Sequence, residues 1–342
     1  MTERGTVLVT GGSGFIGSWC VIGLLQQGYT VRATVRDLRR EGEVRAMVGK
    51  QVDPGNRLGV HAVTLTSDDG WDAAAEGAEY VLHVASPLGV PLPKHPDDLI
   101  VPAHDGATRA LKAAIKAGAK RVVMTSSVAA CARDSRSGGD WVSDETVWTD
   151  PKDPAADAYV QSKTIAERAA WDLIAAEGGA TSLAVVNPAL VIGPVLGKDF
   201  SESVQVVERL LSGRVPGLPR LSFNIVDVRD VADLHIRAMT DPAAAGQRFI
   251  AAGDFAWMAD IAAILRLKLG AAASKVPTAK APDILLRLVS LFDRDLKAVT
   301  PGLGRKRTFS SAKAQSLLGW KHRPLEDTIL DCARSLIEAG VV

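Results

Sequence analysis

The chain has 342 residues, 47% hydrophobic and 23% charged, which is enough core material for one large domain or two closely joined ones. Its 40 basic and 39 acidic residues leave a formal net charge of +1, so no global field draws nucleic acid or an anionic membrane. Cys20, Cys131 and Cys332 are odd in number and far apart, and the six histidines lack ligand spacing, which argues against a disulfide framework or a metal site.

Taken in chain order, residues 6–10 predict a strand and residues 14–27 a helix ending at Gly28. The N-terminus reads straight into that strand with no signal-peptide pattern, and no run of about 18 apolar residues follows; a cytoplasmic, non-membrane protein is expected. Further strands are predicted at 29–35, 59–65, 79–84, 121–126 and 181–187, with helices at 97–116 and 155–176. Strands separated by helices imply right-handed crossovers and a doubly wound parallel α/β sheet. After Pro188 the texture changes: Pro194, Gly197, Gly213, Pro216, Gly217 and Pro219 cut the chain short, and one more strand–helix unit stands at 223–239. Residues 1–190 are therefore read as a dinucleotide-binding domain, with 222–243 returning to it, and 191–342 mainly as a smaller substrate-binding part. The apolar stretch 282–296 is expected to cover a pocket or pack on a neighbour, and 135–139 to be a surface loop.

The turn Thr10-Gly11-Gly12-Ser13-Gly14-Phe15-Ile16-Gly17 joins the first strand to the first helix. A pyrophosphate needs backbone N–H groups aimed at it, and a helix start supplies them with a favourable dipole. Gly11 suits the tight turn, Gly14 the close approach, and Gly17 the packing of helix on strand. Tyr159 and Lys163 stand at i, i+4 on a predicted helix, one turn apart on one face. A free phenol has a pKa of about 10, and a neighbouring ammonium is expected to lower it toward useful acid–base range. Ser127, at the end of the 121–126 strand, can hydrogen-bond a carbonyl oxygen. His83, in an apolar run, is read as a core histidine. Arg36 ends the second strand, where a ribose phosphate would lie, and so points to NADPH. Arg32, Arg39 and Arg40 are possible helpers, and Asp37 is the objection.

The chain resembles the extended short-chain dehydrogenases/reductases, and within them the dihydroflavonol-reductase-like aldehyde and ketone reductases. The segments that carry the likeness are the glycine turn, Val31-Arg32-Ala33-Thr34-Val35-Arg36-Asp37, His83-Val84-Ala85-Ser86-Pro87 and Arg121-Val122-Val123-Met124-Thr125-Ser126-Ser127. Tyr159-Val160-Gln161-Ser162-Lys163, the run from Asn187 to Pro194, Val226-Asp227-Val228-Arg229-Asp230-Val231-Ala232 and Leu318-Gly319-Trp320-Lys321 extend it almost to the C-terminus. The resemblance implies a Rossmann fold and an NADPH-dependent reduction of a small-molecule carbonyl by a monomer or homodimer. By the same resemblance Tyr159 is the general acid, Lys163 binds the nicotinamide ribose, and Ser127 polarises the carbonyl. It also implies that Thr10, Phe15, Ile16, Ala85 and Ser86 line the cofactor groove, with Pro188 and Val191 near the nicotinamide amide. Two positions depart from the family pattern: Thr64-Leu65 replaces Asp-Leu beside the adenine, and Gly106-Ala107 replaces Gly-Thr.

Competing readings of the same fold are a sugar-nucleotide epimerase or dehydratase, for which Arg209, Arg214 and Arg220 could bind a diphosphate, and a hydroxysteroid-type dehydrogenase. A dinucleotide-sensing regulator is disfavoured by the intact Ser127–Tyr159–Lys163 set. The pocket is expected to be apolar, lined from residues 190–195, Phe200, Leu218 and 284–292.

Overall fold

A computed structural model describes residues 4–87, 95–134, 138–197, 200–291 and 300–342, apart from the side chain of Pro301. The strands are β1 (Thr6–Thr10), β2 (Thr30–Val35), β3 (Leu58–Ala62), β4 (Tyr80–His83), β5 (Arg121–Thr125) and β6 (Trp141–Ser143). They continue with β7 (Ser182–Pro188), β8 (Leu190–Ile192), β9 (Ser222–Asp227), β10 (Gln247–Ala251), β11 (Phe255–Trp257) and β12 (Arg307–Phe309). The central sheet has seven strands in the order β3-β2-β1-β4-β5-β7-β10, with every neighbouring pair parallel. Its inner strands are buried on both faces, as in β5, where all of Arg121 to Thr125 is buried.

Helices cover both faces. On one side α1 (Phe15–Gln26) and α2 (Glu41–Gly49) pack with α7 (Val228–Thr240) around Val21, Leu24, Val44, Val231 and Leu234. On the other, α3 (Trp71–Ala75), α4 (Asp97–Lys116) and α5 (Ala158–Glu177) pack through alanines such as Ala74, Ala107, Ala110, Ala114, Ala166 and Ala170. Small side chains let α4 and α5 lie close on the sheet. Asp157 caps α5, its carboxylate accepting from the Val160 N–H at 2.8 Å; this fixes where the helix carrying Tyr159 and Lys163 begins.

A second core unites β8, β9 and β11 with α6 (Gln205–Leu211), α8 (Met258–Leu269) and α11 (Leu325–Glu338), through Ile192, Leu210, Ile225, Ile261, Leu265 and Leu336. The strand–helix unit expected at 223–239 is thus split. Its helix, α7, packs on α1 beneath the main sheet, while its strand, β9, belongs to this second sheet. The strand that does return to the main sheet is β10, which periodicity did not mark. In the expected pocket lining, Ile192, Val195 and Leu218 belong to the second core. Helix α9 (Asp283–Val289) has no buried residue, with Ile284 72% exposed, and within the described part of 282–296 only Ser290 is buried. Residues 292–296 of that stretch, and 135–137 of the loop, lie outside the described residues.

The C-terminal segment closes on the first face. Helix α10 (Ala312–Leu318) ends at Gly319, whose φ of 58° is in the left-handed region that glycine favours. That turn delivers Trp320 into the α1–α7 core, fully buried, its indole N–H donating to Asp230 O at 2.8 Å. Truncation leaves a large cavity and an orphaned carbonyl. Trp320→Ala is expected to cost about 3–5 kcal/mol of stability, read as a lower urea midpoint; a loss under about 1 kcal/mol would show that the segment is only loosely docked.

Candidate active site

The strand order reverses between β1 and β4, and the crevice at their carboxyl ends is where α/β sheets bind ligands. The Thr10 side chain holds its lips together. Thr10 Oγ1 accepts from the N–H groups of Val84 and Ala85, both at 3.0 Å. With both lone pairs used, its hydroxyl donates to His83 Nδ1 at 3.0 Å. His83 is therefore neutral, and burial, then the Lys163 charge, push its pKa down to about 3. It is a core histidine, as expected.

Each glycine of the turn meets a different constraint. Gly11 has a φ of 69°, and a Cβ there would come 3.0 Å from Ala85 Cα. At Gly17 a Cβ would stand 2.2 Å from Gly11 O, so its requirement is packing. At Gly14 a Cβ would meet only Gly11 O, at 3.2 Å, and otherwise faces open space. Gly14 is the N-cap of α1, with no side-chain cap and no acidic residue in the first turn. The first helical bond runs from Ser18 N–H to Gly14 O, leaving the N–H groups of Phe15, Ile16 and Gly17 outside the helical ladder. Uncapped donors beside a space that a Cβ would enter fit the pyrophosphate of a dinucleotide.

At the end of β2, Arg36 is exposed, and no hydrogen bond or ion pair holds it among the described residues. The possible helpers are engaged elsewhere. Arg32 donates to Ala74 O and Glu76 O, and Arg40 pairs with Glu43. Asp37 accepts from the Arg39 backbone N–H at 2.9 Å and from its guanidinium, which lowers the carboxyl pKa to about 2. The carboxylate that could have repelled a ribose phosphate is thereby tied to Arg39.

Ser127, Tyr159 and Lys163 come together at the carboxyl end of β5. The Ser127 hydroxyl lies near that of Tyr159 and favours its ionised form, and Ser127 Oγ accepts from Ala129 N–H at 3.1 Å. Lys163 is 5% exposed, and burial, opposed by Glu167, pushes its pKa down to about 8. One expectation is corrected here: the Tyr159 pKa is raised, not lowered. Burial outweighs the opposing influence of Ser127; Asp157 and Glu202 add to the rise, and Lys163 is not among its perturbers. A phenol in this state holds its proton at neutral pH, which is the state a proton donor needs.

The NAD dependent epimerase/dehydratase family matches residues 7–252. The chain belongs to that family. It is 33% identical to dihydroflavonol 4-reductase of Zea mays, across 100% of this chain and 91% of the relative. It is 38% identical to cinnamoyl-CoA reductase CAD2 of Medicago truncatula, across 70% of this chain and 74% of the relative. Among solved structures it resembles the yeast methylglyoxal/isovaleraldehyde reductase Gre2 complexed with NADPH, with a TM-score of 0.81 and 26% identity, across 98% of this chain and 100% of that one. The chain is an NAD(P)-dependent oxidoreductase of the epimerase/dehydratase family.

The two departures from the dihydroflavonol-reductase-like pattern are Thr64 and Ala107, the latter fully buried among the alanines of α4 and α5. Trp71 Nε1 donates to Thr64 O at 3.2 Å, and Arg109 Nη1 donates to Leu65 O at 2.8 Å. The Leu65 side chain lies over Gly106, where a Cβ would come 2.5 Å from it, so that position is glycine by packing. Ala85 and Ser86 follow β4 at the crevice, Pro188 ends β7, and Val191, 7% exposed, lies on β8.

Sequence reasoning missed the polar group beneath this site. Glu167, fully buried one turn beyond Lys163, accepts from Ser126 Oγ at 2.5 Å, Asn187 Nδ2 at 2.8 Å and Arg248 Nε at 2.5 Å. Its signal was present, since Tyr159, Lys163 and Glu167 share one helical face at i, i+4 and i+8. Arg248 gave none, because β10 itself was not foreseen.

The turn geometry generates a separable pair of outcomes. Gly14→Val is expected to abolish measurable NADPH binding in calorimetric titration while leaving the melting temperature close to wild type. Gly17→Val is expected to destabilise the fold by about 1–3 kcal/mol through overpacking. Unchanged NADPH affinity in a folded Gly14→Val protein would sink the pyrophosphate assignment.

Proposed function

We propose that this protein reduces an aldehyde or ketone to an alcohol with NADPH, and that Tyr159 donates the proton. One observation carries the reading: the neighbouring Ser127 and Tyr159 and the buried Lys163 share a crevice with an uncapped glycine-turn helix start. In this reading Thr10, Gly11, Gly14, Phe15, Ile16 and Gly17 hold the pyrophosphate, and Arg36 the ribose phosphate. Thr64, Leu65, Ala85 and Ser86 flank the adenosine side of the groove, and Pro188 and Val191 its nicotinamide end. When bound, NADPH supplies the hydride that the carbonyl carbon accepts. Ser127 donates a hydrogen bond that orients the carbonyl oxygen, and Tyr159 Oη gives that oxygen its proton. The Lys163 ammonium reaches the ribose hydroxyls. The same reading has the enzyme act on a small molecule in the cytosol, as a monomer or homodimer.

The arginines that could have served a sugar diphosphate are engaged with other side chains. Arg220 pairs with Asp283 at 2.6 Å, Arg214 with Glu208 at 3.1 Å, and Arg209 donates to Gln205 at 3.0 Å. Each is thus held by a partner of its own, which favours the reductase over the sugar-nucleotide alternative.

Two variants test the reading against a panel of carbonyl substrates followed by NADPH absorbance. Tyr159→Phe keeps the ring but removes the proton, so kcat is expected to fall by about 10²–10⁴-fold with NADPH affinity retained; near-normal kcat would reject the assignment. For Arg36→Ala, a hydrogen bond to a charged group is worth roughly 1.5–3 kcal/mol, or about ten- to a hundredfold. NADPH binding is expected to weaken by that factor and NADH binding to stay unchanged. Equal losses for both cofactors would show that Arg36 does not read the phosphate.

A further inference from the structure

Glu167 touches neither the proposed substrate nor the cofactor, yet it is fully buried and makes three hydrogen bonds to groups from three other strand ends. Through Oε2 it accepts from the Ser126 hydroxyl and from Asn187 Nδ2. Asn187 Nδ2 also donates to Ser127 O at 3.1 Å. Two of these links thus converge on the backbone that carries Ser127, one directly before it and one on its own carbonyl. Through Oε1 Glu167 accepts from Arg248 Nε. Arg248 is in turn fixed by Glu145 O, Val147 O, Ala130 O and Cys131 Sγ, and its guanidinium stacks 3.7 Å from the Trp148 ring.

A buried carboxylate with one strong cationic partner is costly to desolvate and is weak evidence of a stabilising role. Its position has a second consequence. Glu167 lies one turn from Lys163 on the same face of α5. The titratable groups that act on Lys163 or feel its charge are His83 of β4, which is neutral, and Glu167 of its own helix. Glu167 is therefore the negative charge among them.

We propose that Glu167 is a positioning residue for the reduction, anchoring the Ser127 backbone through Ser126 and Asn187 and supplying the buried negative charge against which the Lys163 ammonium is held. This rests on the proposed reductase reading for its kinetic consequence, but not for its electrostatic one. Burial favours neutral Lys163, and Glu167 opposes that. An ammonium that must stay charged makes activity fall as pH rises through the lysine pKa. Without Glu167 the fall begins at lower pH.

The test compares wild type with Glu167→Gln and with Glu167→Gln/Arg248→Met. The single variant strands a buried guanidinium, and its amide faces donors, so it is expected to lose stability. The double variant removes the stranded cation with a side chain of similar reach. Two readouts are taken on folded protein: the 13Cε shift titration of Lys163, assigned by its absence in Lys163→Arg, and the pH profile of kcat. An opposite charge within a few ångströms shifts a pKa by about 1–3 units, so the Lys163 midpoint and the alkaline limb of kcat are both expected to fall by about one pH unit or more. A folded double variant with the wild-type Lys163 midpoint and kcat profile would overturn the proposal and leave Glu167 a structural charge. If wild type shows no NADPH-dependent turnover, the reductase reading fails instead, and the Lys163 titration still decides the role of Glu167.

Discussion

Parallel strands that diverge at their carboxyl ends leave a cleft, and something must set its width. Here the Thr10 hydroxyl does so, binding the Val84 and Ala85 amides and the His83 ring in one place. The close approach of Gly11 to Ala85 follows from that clasp. So does the line of the chain into α1, whose uncapped start faces the cleft. The glycines are needed because β1 and β4 are held this near each other, and backbone donors can reach a pyrophosphate because no side chain stands between.

The other wall of the cleft is governed by burial. Three ionisable groups meet there, and loss of water acts on each in the direction of its neutral form. His83 and Tyr159 stay neutral at physiological pH, while Lys163 keeps its charge only near the edge of its range. One carboxylate beneath them opposes that trend. Glu167 meets Ser126, Asn187 and Arg248 together only because α5 lies against the sheet where β5, β7 and β10 are neighbours. Polar groups in such a low-dielectric setting cost dearly when left unsatisfied, and in this group Asn187 Oδ1 is the buried atom without a partner among the described residues. The arrangement therefore couples the fold of the sheet edge to the chemistry above it.

The C-terminal half divides its loyalties. β10 and α7 complete the main sheet and its helical layer, whereas β8, β9 and β11 build a core of their own. Asp227 caps α7 through the Arg229 N–H at 2.8 Å and also pairs with the Arg229 side chain at 2.7 Å. Arg229 pairs with Asp331 of α11 at 2.7 Å as well. That joint ties the two cores at the switch from strand to helix. Trp320, seated under Asp230, extends the same joint to the C-terminal segment.

The sequence by itself determined what local chemistry can encode. Alternating apolar strands and helices specify a parallel sheet, the glycine spacing specifies the turn, and the i, i+4 spacing puts Tyr159 and Lys163 on one face. These features lie within a few residues of each other, so no distant partner is needed to read them. Tertiary structure alone decided the rest. Whether the Tyr159 pKa falls or rises depended on how much water the cleft excludes. Arg248 could not be placed at all before its strand was seen beside β7, because it meets Glu167 across 81 residues of chain. Such contacts exist only once the sheet has assembled and desolvated them, and neither burial nor a long-range pairing leaves a period in the sequence.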